Sequence, residues 1–112
     1  MASRWVLGGF AVLLIAVGVL GFLPAGGRGS TSNAPAYNVF HLAFGVAGLA
    51  FAVLGDRSAA RAFLVGFGLI DLYQALASHQ HWVPEALFRW TPTDDLLHVV
   101  VGVALIAAGA FL

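Results

Sequence analysis

Residues 5–23 read WVLGGFAVLLIAVGVLGFL, a stretch without any charged side chain. A helix of about 20 apolar residues is long enough to cross the hydrocarbon core of a bilayer. Arg4 precedes the stretch and Pro24 follows it, and a cation and a helix breaker are typical of the two ends of a span. We expect a transmembrane helix rather than a cleaved secretory signal, because the stretch is a full span long and Leu23 is a poor cleavage residue.

Three further apolar runs follow, at residues 37–54, 59–77 and 94–112. The chain is 61% hydrophobic and 9% charged, and a water-soluble domain of 112 residues cannot bury that much apolar surface. We predict an all-α membrane protein with four transmembrane helices, in a single domain over residues 1–112. The net charge of zero leaves no basic patch for nucleic acid, so the lipid bilayer is the partner that the composition predicts.

The two halves of the chain align with each other without a gap when the sequence is shifted by 57 positions. Residues of distinctive chemistry match in this alignment: Arg4 with Arg61, Pro35 with Pro92, His41 with His98, and Gly45 with Gly102. We predict a first repeat over residues 1–55 and a second over residues 58–112, each of them a helical hairpin. Because each repeat crosses the membrane twice, both copies keep one orientation, and a pseudo-two-fold axis lies along the membrane normal.

Asn38 and Asp95 occupy equivalent positions near the start of the second and fourth runs. Side chains of both types accept hydrogen bonds from the free N–H groups at the start of a helix. We therefore predict that Asn38 and Asp95 are the N-caps of these two helices.

Two histidines lie at one depth if the repeats are related in this way. His41 and His98 each fall about one turn inside the outer end of a span. Gly45 and Gly102 follow four residues later, on the same faces of the two helices. The histidines therefore stand beside patches of bare backbone.

Asp71 of the third run lies at a similar depth, where the first repeat has Leu14, so the acid breaks the symmetry. An ionisable side chain inside a span is a candidate for function because of its desolvation cost. We predict that Asp71, Tyr73 and Gln74 form a buried polar cluster with the two histidines.

Three interpretations of this cluster remain open. In the first, the polar side chains satisfy one another and the glycines allow close helix packing. In the second, His41 and His98 are the axial ligands of a b-type haem. Gly45 and Gly102 would then make room for the porphyrin. In the third, protons pass through Asp71 and the two histidines and drive transport.

Signatures of the common enzymes are missing from the sequence. It contains no G-x-S-x-G, no H-E-x-x-H, no glycine-rich phosphate loop and no cysteine. His79 and His81 form a His-x-His pair without a committed third ligand, so we predict no metal site there. We expect this connection to be an interfacial loop anchored by Trp82 and Trp90, and we expect the protein not to be an enzyme.

Two short runs carry a resemblance to a known family. The first is NVFHL at residues 38–42, followed by Gly45 and Gly48, and the second is DDLLH at residues 94–98, followed by Gly102. The chain resembles a family of small bacterial membrane proteins catalogued as domain of unknown function 4383. The resemblance implies a four-helix membrane protein with histidines at these two positions, and it implies no catalytic residue.

The predicted role is that of a structural or accessory subunit of a membrane assembly. Such a subunit packs against further copies of itself, as a homo-oligomer, or against a larger complex. Small residues four positions apart suit helix–helix contact, as do Ala43 with Ala47 and Ala104 with Ala108. The same residues also suit packing inside the bundle.

The arginines favour one orientation in the membrane. Arg4, Arg57 and Arg61 lie on the side that holds both termini, whereas Arg28 and Arg89 lie on the other side. Positively charged residues are in excess on the cytoplasmic side of membrane proteins. We therefore expect both termini in the cytoplasm, with the protein in the inner membrane of a bacterium.

Overall fold

Four long helices make up most of the protein. The computed structural model describes residues 2–22, 32 and 34–112. In this part of the chain the helices are α1 Ala2–Gly21, α2 Pro35–Leu54, α3 Arg57–Gln80, the single turn α4 Glu85–Phe88, and α5 Pro92–Phe111. The four long helices are each long and apolar enough to cross a membrane. The predicted all-α fold with four transmembrane helices is confirmed.

The outer faces of the bundle are apolar, as a lipid environment requires. Trp5, Leu54 and Phe111 are each more than 80% exposed. Leu7 and Leu64, which the repeat makes equivalent, are fully buried in the core. The bilayer therefore replaces the polar coat that a water-soluble bundle of this size would carry.

The helices pair as two tandem hairpins, because α1 packs mainly on α2 and α3 packs mainly on α5. Asp56 lies between the hairpins and is the N-cap of α3, where its carboxylate accepts a hydrogen bond from the Ala59 N–H at 2.8 Å. Pro24 and Arg28, which the sequence places in the connection between α1 and α2, lie outside the described residues.

An arginine closes each hairpin at the end that holds the termini. Arg4 of α1 donates hydrogen bonds to the carbonyl oxygens of Ala52 and Val53, at 2.8 and 2.9 Å. Arg61 of α3 does the same at residues 109–110 of α5, at 2.7 and 2.8 Å. The last carbonyls of a helix have no partner within the helix. The same arginine contact therefore satisfies them in both hairpins, 57 positions apart.

Glycines bring the two helices of each hairpin close together. A Cβ atom on Gly45 would lie 3.1 Å from the carbonyl oxygen of Ala11 and 2.6 Å from the side chain of Ile15. A Cβ on Gly102 would lie 2.9 Å from the carbonyl oxygen of Gly68, which is the repeat equivalent of Ala11. The bare backbone of both glycines is thus in contact with the neighbouring helix of its own hairpin.

The helices α2 and α5 begin at prolines. Pro35 is the first residue of α2, and Pro92 is the first residue of α5. Thr91 is the N-cap of α5, since its hydroxyl accepts a hydrogen bond from the Asp94 N–H at 3.2 Å. The Asp94 carboxylate in turn accepts a hydrogen bond from the Thr91 N–H at 2.9 Å, which completes a capping box.

The prediction that Asn38 and Asp95 are N-caps is therefore wrong. Each lies inside its helix, four residues after the N-cap. Proline has no N–H to satisfy and its fixed φ suits the first helical position, so Pro35 and Pro92 set the helix starts. For the start of these two helices, the proline is a stronger signal than the polar side chain that follows it.

Candidate functional site

A cavity of about 300 Å³ lies between the two hairpins, in the half of the bundle that is distant from Arg4, Arg57 and Arg61. Its polar residues are Ser32, Tyr37, Asn38, His41, Asp71, Asp94 and His98. Most of the remaining wall is apolar and includes Leu13, Leu14, Val17 and Val101. Its volume is at the lower end of the range for small-molecule sites, which is about 300–1,000 Å³.

Tyr37 lies between the two histidines. Its hydroxyl is 2.7 Å from Nε2 of His98, in a buried hydrogen bond. Its ring centroid is 4.2 Å from that of His41, one helical turn further along α2. Sequence analysis did not identify Tyr37, although its spacing of four residues before His41 puts both side chains on one helical face.

A chain of hydrogen bonds leads from the loop before α5 to the buried carboxylate. The indole N–H of Trp90 donates to the Gln74 side-chain oxygen at 3.1 Å. The Gln74 amide donates to Oδ1 of Asp71 at 3.2 Å. Trp90 was expected at the membrane interface with Trp82, but it is only 8% exposed. Its burial follows from the partner that Gln74 offers to the indole N–H.

The predicted polar cluster is present only in part. Asp71 and Gln74 are bonded to each other, whereas Tyr73 faces outward and its hydroxyl donates to the Val83 carbonyl at 2.7 Å. Tyr73 cannot join its neighbours because adjacent residues of a helix point in different directions. In the described residues, no hydrogen bond joins Asp71 to either histidine, so the cavity and Tyr37 bring these groups together.

Two buried ring nitrogens face no hydrogen-bond partner in the described part of the chain. They are Nδ1 of His41 and Nδ1 of His98. An unsatisfied buried polar atom costs about 1–3 kcal/mol. Native proteins contain few such atoms, and each one calls for an explanation, such as a bound water, ion or ligand.

The cavity exists because the two contacts between the hairpins differ. We call the contact between α2 and α3, which includes Phe40 and Phe44, the filled seam. There the ring of Phe67 lies 5.9 Å from Phe40 and 5.1 Å from Phe44. We call the equivalent contact between α5 and α1 the open seam, where Leu97 and Val101 replace the two phenylalanines. Smaller side chains leave space unfilled on that side.

The cavity borders the lipid-facing surface at the open seam. Leu13, Val17 and Leu97 line the cavity, and they are 57%, 41% and 45% exposed. The helices α1 and α5 also pack less closely on each other than α2 and α3 do. A molecule dissolved in the bilayer therefore has a short lateral path to the cavity.

The His-x-His pair lies apart from this cavity. Nδ1 of the exposed His81 is 3.6 Å from the partly buried Glu85 carboxylate. In the described ranges, no three His, Cys, Asp or Glu side chains are grouped as metal ligands.

The comparisons with known proteins address the family rather than the activity. No curated protein and no solved structure matches the chain. The family model described as Domain of unknown function (DUF4383) matches residues 29–111, which include α2 to α5 and all the polar residues of the cavity. The match covers more than half of the chain and confirms the resemblance seen in the sequence. The chain therefore belongs to the DUF4383 family.

Proposed function

We propose that this protein is a non-catalytic membrane subunit that binds a small, largely apolar molecule in the cavity between its two hairpins. The supporting observation is the cavity itself, with apolar walls, buried polar groups at one end and a lipid-facing border. Small-molecule sites commonly combine apolar walls with a few convergent polar groups.

Packing energetics favour a ligand over a purely structural cavity. Space left in a packed core destabilises a protein roughly in proportion to its volume. The filled seam demonstrates that phenylalanines at these positions close the same contact. A bundle with only a scaffolding role gains from the same rings at Leu97 and Val101. The smaller residues are therefore best explained by a molecule that uses the space.

The accessory role proposed from the sequence is compatible with ligand binding. Ala43 and Ala104 are exposed, and the surface around them suits contact with a second copy or a larger complex. Arg4, Arg57 and Arg61 lie at one end of the bundle, and we propose that this end faces the cytoplasm of a bacterium. The cavity then opens in the outer half of the inner membrane.

A b-type haem is a second candidate, because His41 and His98 line one cavity. The Tyr37 hydroxyl already occupies Nε2 of His98, so ligation by both histidines requires this tyrosine to withdraw. Gly45 and Gly102 are occupied by helix packing. A reduced-minus-oxidised absorption spectrum of protein from native membranes tests the idea. A sharp low-spin band would favour haem, and a blank spectrum would remove it.

Proton-coupled transport is the third interpretation, and it rests on Asp71 and the same two histidines. All three residues line the cavity, but no hydrogen bond links the acid to either imidazole in the described residues. An Asp71→Asn variant tests it in proteoliposomes with a pH-sensitive dye. Loss of a wild-type proton flux in the variant supports transport, and the lack of any flux in the wild type contradicts it.

Photolabelling tests the ligand-binding proposal directly. The probe is a diazirine derivative of 1-octanol, added to the protein in lipid nanodiscs, with the labelled residues mapped by mass spectrometry. We expect saturable labelling of residues that line the cavity, such as Leu13, Val17 and Leu97. Unlabelled 1-octanol should compete with it.

Two variants of α5 supply the control, one inside the cavity and one on the lipid-facing side. Val101→Phe copies Phe44 of the filled seam into the cavity and should reduce saturable labelling about tenfold. Val103→Phe adds the same ring to the lipid-facing side of α5, where Val103 is 56% exposed, and should leave the labelling unchanged. Equal labelling in both variants would contradict the proposal.

A further inference from the structure

Asp71 is a buried acid at a position where the other hairpin has a leucine. It is only 4% exposed within α3, and an ionisable side chain inside a span is expensive. The equivalent position in α1 is Leu14, which lines the same cavity and is also buried. One hairpin therefore packs well with leucine at this position, and the acid of the other hairpin calls for a separate explanation.

Among the described residues, Asp71 has a neutral hydrogen-bond donor and no cation beside it. Gln74 donates one hydrogen bond to Oδ1, and a carboxylate has room for several more. Among the described residues that line the cavity there is no arginine or lysine. Arg4 and Arg61 bond helix-end carbonyls at the opposite end of the bundle. The described lining of the cavity therefore leaves Asp71 without a positive partner.

The remaining polar groups also select against an anion. Asp94 is a second carboxylate in the wall, held by hydrogen bonds from the backbone N–H groups of Ser32 and Thr91. An anionic head group would lie near two acids, which is electrostatically unfavourable, whereas a cation is attracted. The rings of Phe10 and Phe67 line the same space, and aromatic faces attract cations.

We propose that the ligand of this cavity is an amphipathic amine, with its ammonium group on Asp71 and its hydrocarbon part directed to the open seam. The inference rests on the proposed function and names the class of molecule. The amine enters from the lipid between α1 and α5, where Leu13, Val17 and Leu97 form an apolar border.

Competition between matched probes tests this inference. Octylamine, 1-octanol and octanoate share one chain length and differ in head group, and each competes with the diazirine derivative of 1-octanol in nanodiscs. Concentrations are expressed per lipid, so that partitioning into the bilayer does not enter the comparison. We expect octylamine to compete at a concentration about tenfold lower than that of 1-octanol, because a hydrogen bond between charged groups is stronger than one to a hydroxyl. Octanoate should compete least.

Substitution of the acid should abolish this preference. Asp71→Asn keeps the shape of the side chain, and Asp71→Leu copies the residue of the equivalent position in α1. In both variants octylamine and 1-octanol should compete within about twofold of each other. Asp95→Asn removes a carboxylate of α5 that does not line the cavity, and it should keep the preference for octylamine.

The possible results separate the two proposals. The proposal of an amine ligand is wrong if 1-octanol competes as well as octylamine in the wild type, or if Asp71→Leu keeps the preference. In either case the cavity remains a binding site. If no competitor reduces labelling of the wild type, the proposed function itself fails. The comparison within the wild type does not depend on the folding of any variant.

Discussion

The filled seam and the open seam are two versions of one helix contact, and they differ in a few side chains. In the filled seam, Phe40 and Phe44 pack on Phe67. In the open seam, Leu97 and Val101 occupy the equivalent positions beside Phe10, and a cavity of about 300 Å³ remains. In this pseudo-symmetric bundle the pocket therefore lies on the side where the two rings are absent and the helices pack less closely on each other.

The largest effect is expected from opening the filled seam. Phe44→Ala removes a ring from a packed contact and should lower the free energy of unfolding by about 3–5 kcal/mol. Val101→Ala, at the equivalent position, removes fewer atoms beside existing space and should cost about 1 kcal/mol. Reversible unfolding by sodium dodecyl sulfate in mixed micelles measures both values. Similar losses in the two variants would refute the distinction between the seams.

A smaller effect is expected from Arg4 and Arg61, each of which closes one of the two hairpins. Arg61→Ala leaves two carbonyl groups at the end of α5 without their donor and should lower the free energy of unfolding by about 1–3 kcal/mol. Arg4→Ala should cost a similar amount, since its contacts with α2 are the same. Ser58→Ala, an exposed change one turn away, is the control. A loss in only one arginine variant would break the equivalence of the hairpins.

The smallest effect is expected from the hydrogen bond at the polar end of the cavity. Tyr37→Phe keeps the ring against His41 and removes the hydroxyl from Nε2 of His98. We expect a loss of about 1 kcal/mol in the free energy of unfolding, with a changed ¹⁵N chemical shift of the His98 ring. Tyr73→Phe removes a hydroxyl at the exposed surface and should leave that shift unchanged. An unaltered His98 signal in Tyr37→Phe would contradict the observed contact.

Sequence analysis predicts the membrane fold well, because the length of each apolar run is dictated by the thickness of the bilayer. The repeat alignment also pairs Arg4 with Arg61, and in the structure both make the same contacts. It predicts helix starts less well, because Asn38 and Asp95 are also plausible N-caps, whereas the helices begin at Pro35 and Pro92. Local signals compete at a helix end, and only the backbone hydrogen bonds decide between them.

The candidate site is only partly predictable. The two histidines and Asp71 were identified because they are polar within apolar runs. The cavity was not identified, since it depends on the relative sizes of side chains from four helices. The same alignment does contain a signal, namely the replacement of Phe40 and Phe44 by Leu97 and Val101. The predicted interfacial position of Trp90 is wrong, because the sequence gives no indication that Gln74 accepts a hydrogen bond from the indole.

The two arginine contacts bear on how such a molecule arises. Each hairpin carries its own closure, and this arrangement is compatible with an ancestor in which two identical hairpins paired about a two-fold axis. A dimer of identical units must carry identical side chains at both seams, so every substitution at one seam also occurs at the other. Fusion of two copies into one polypeptide lifts that constraint. One interface can then diverge toward recognition while its twin continues to hold the molecule together.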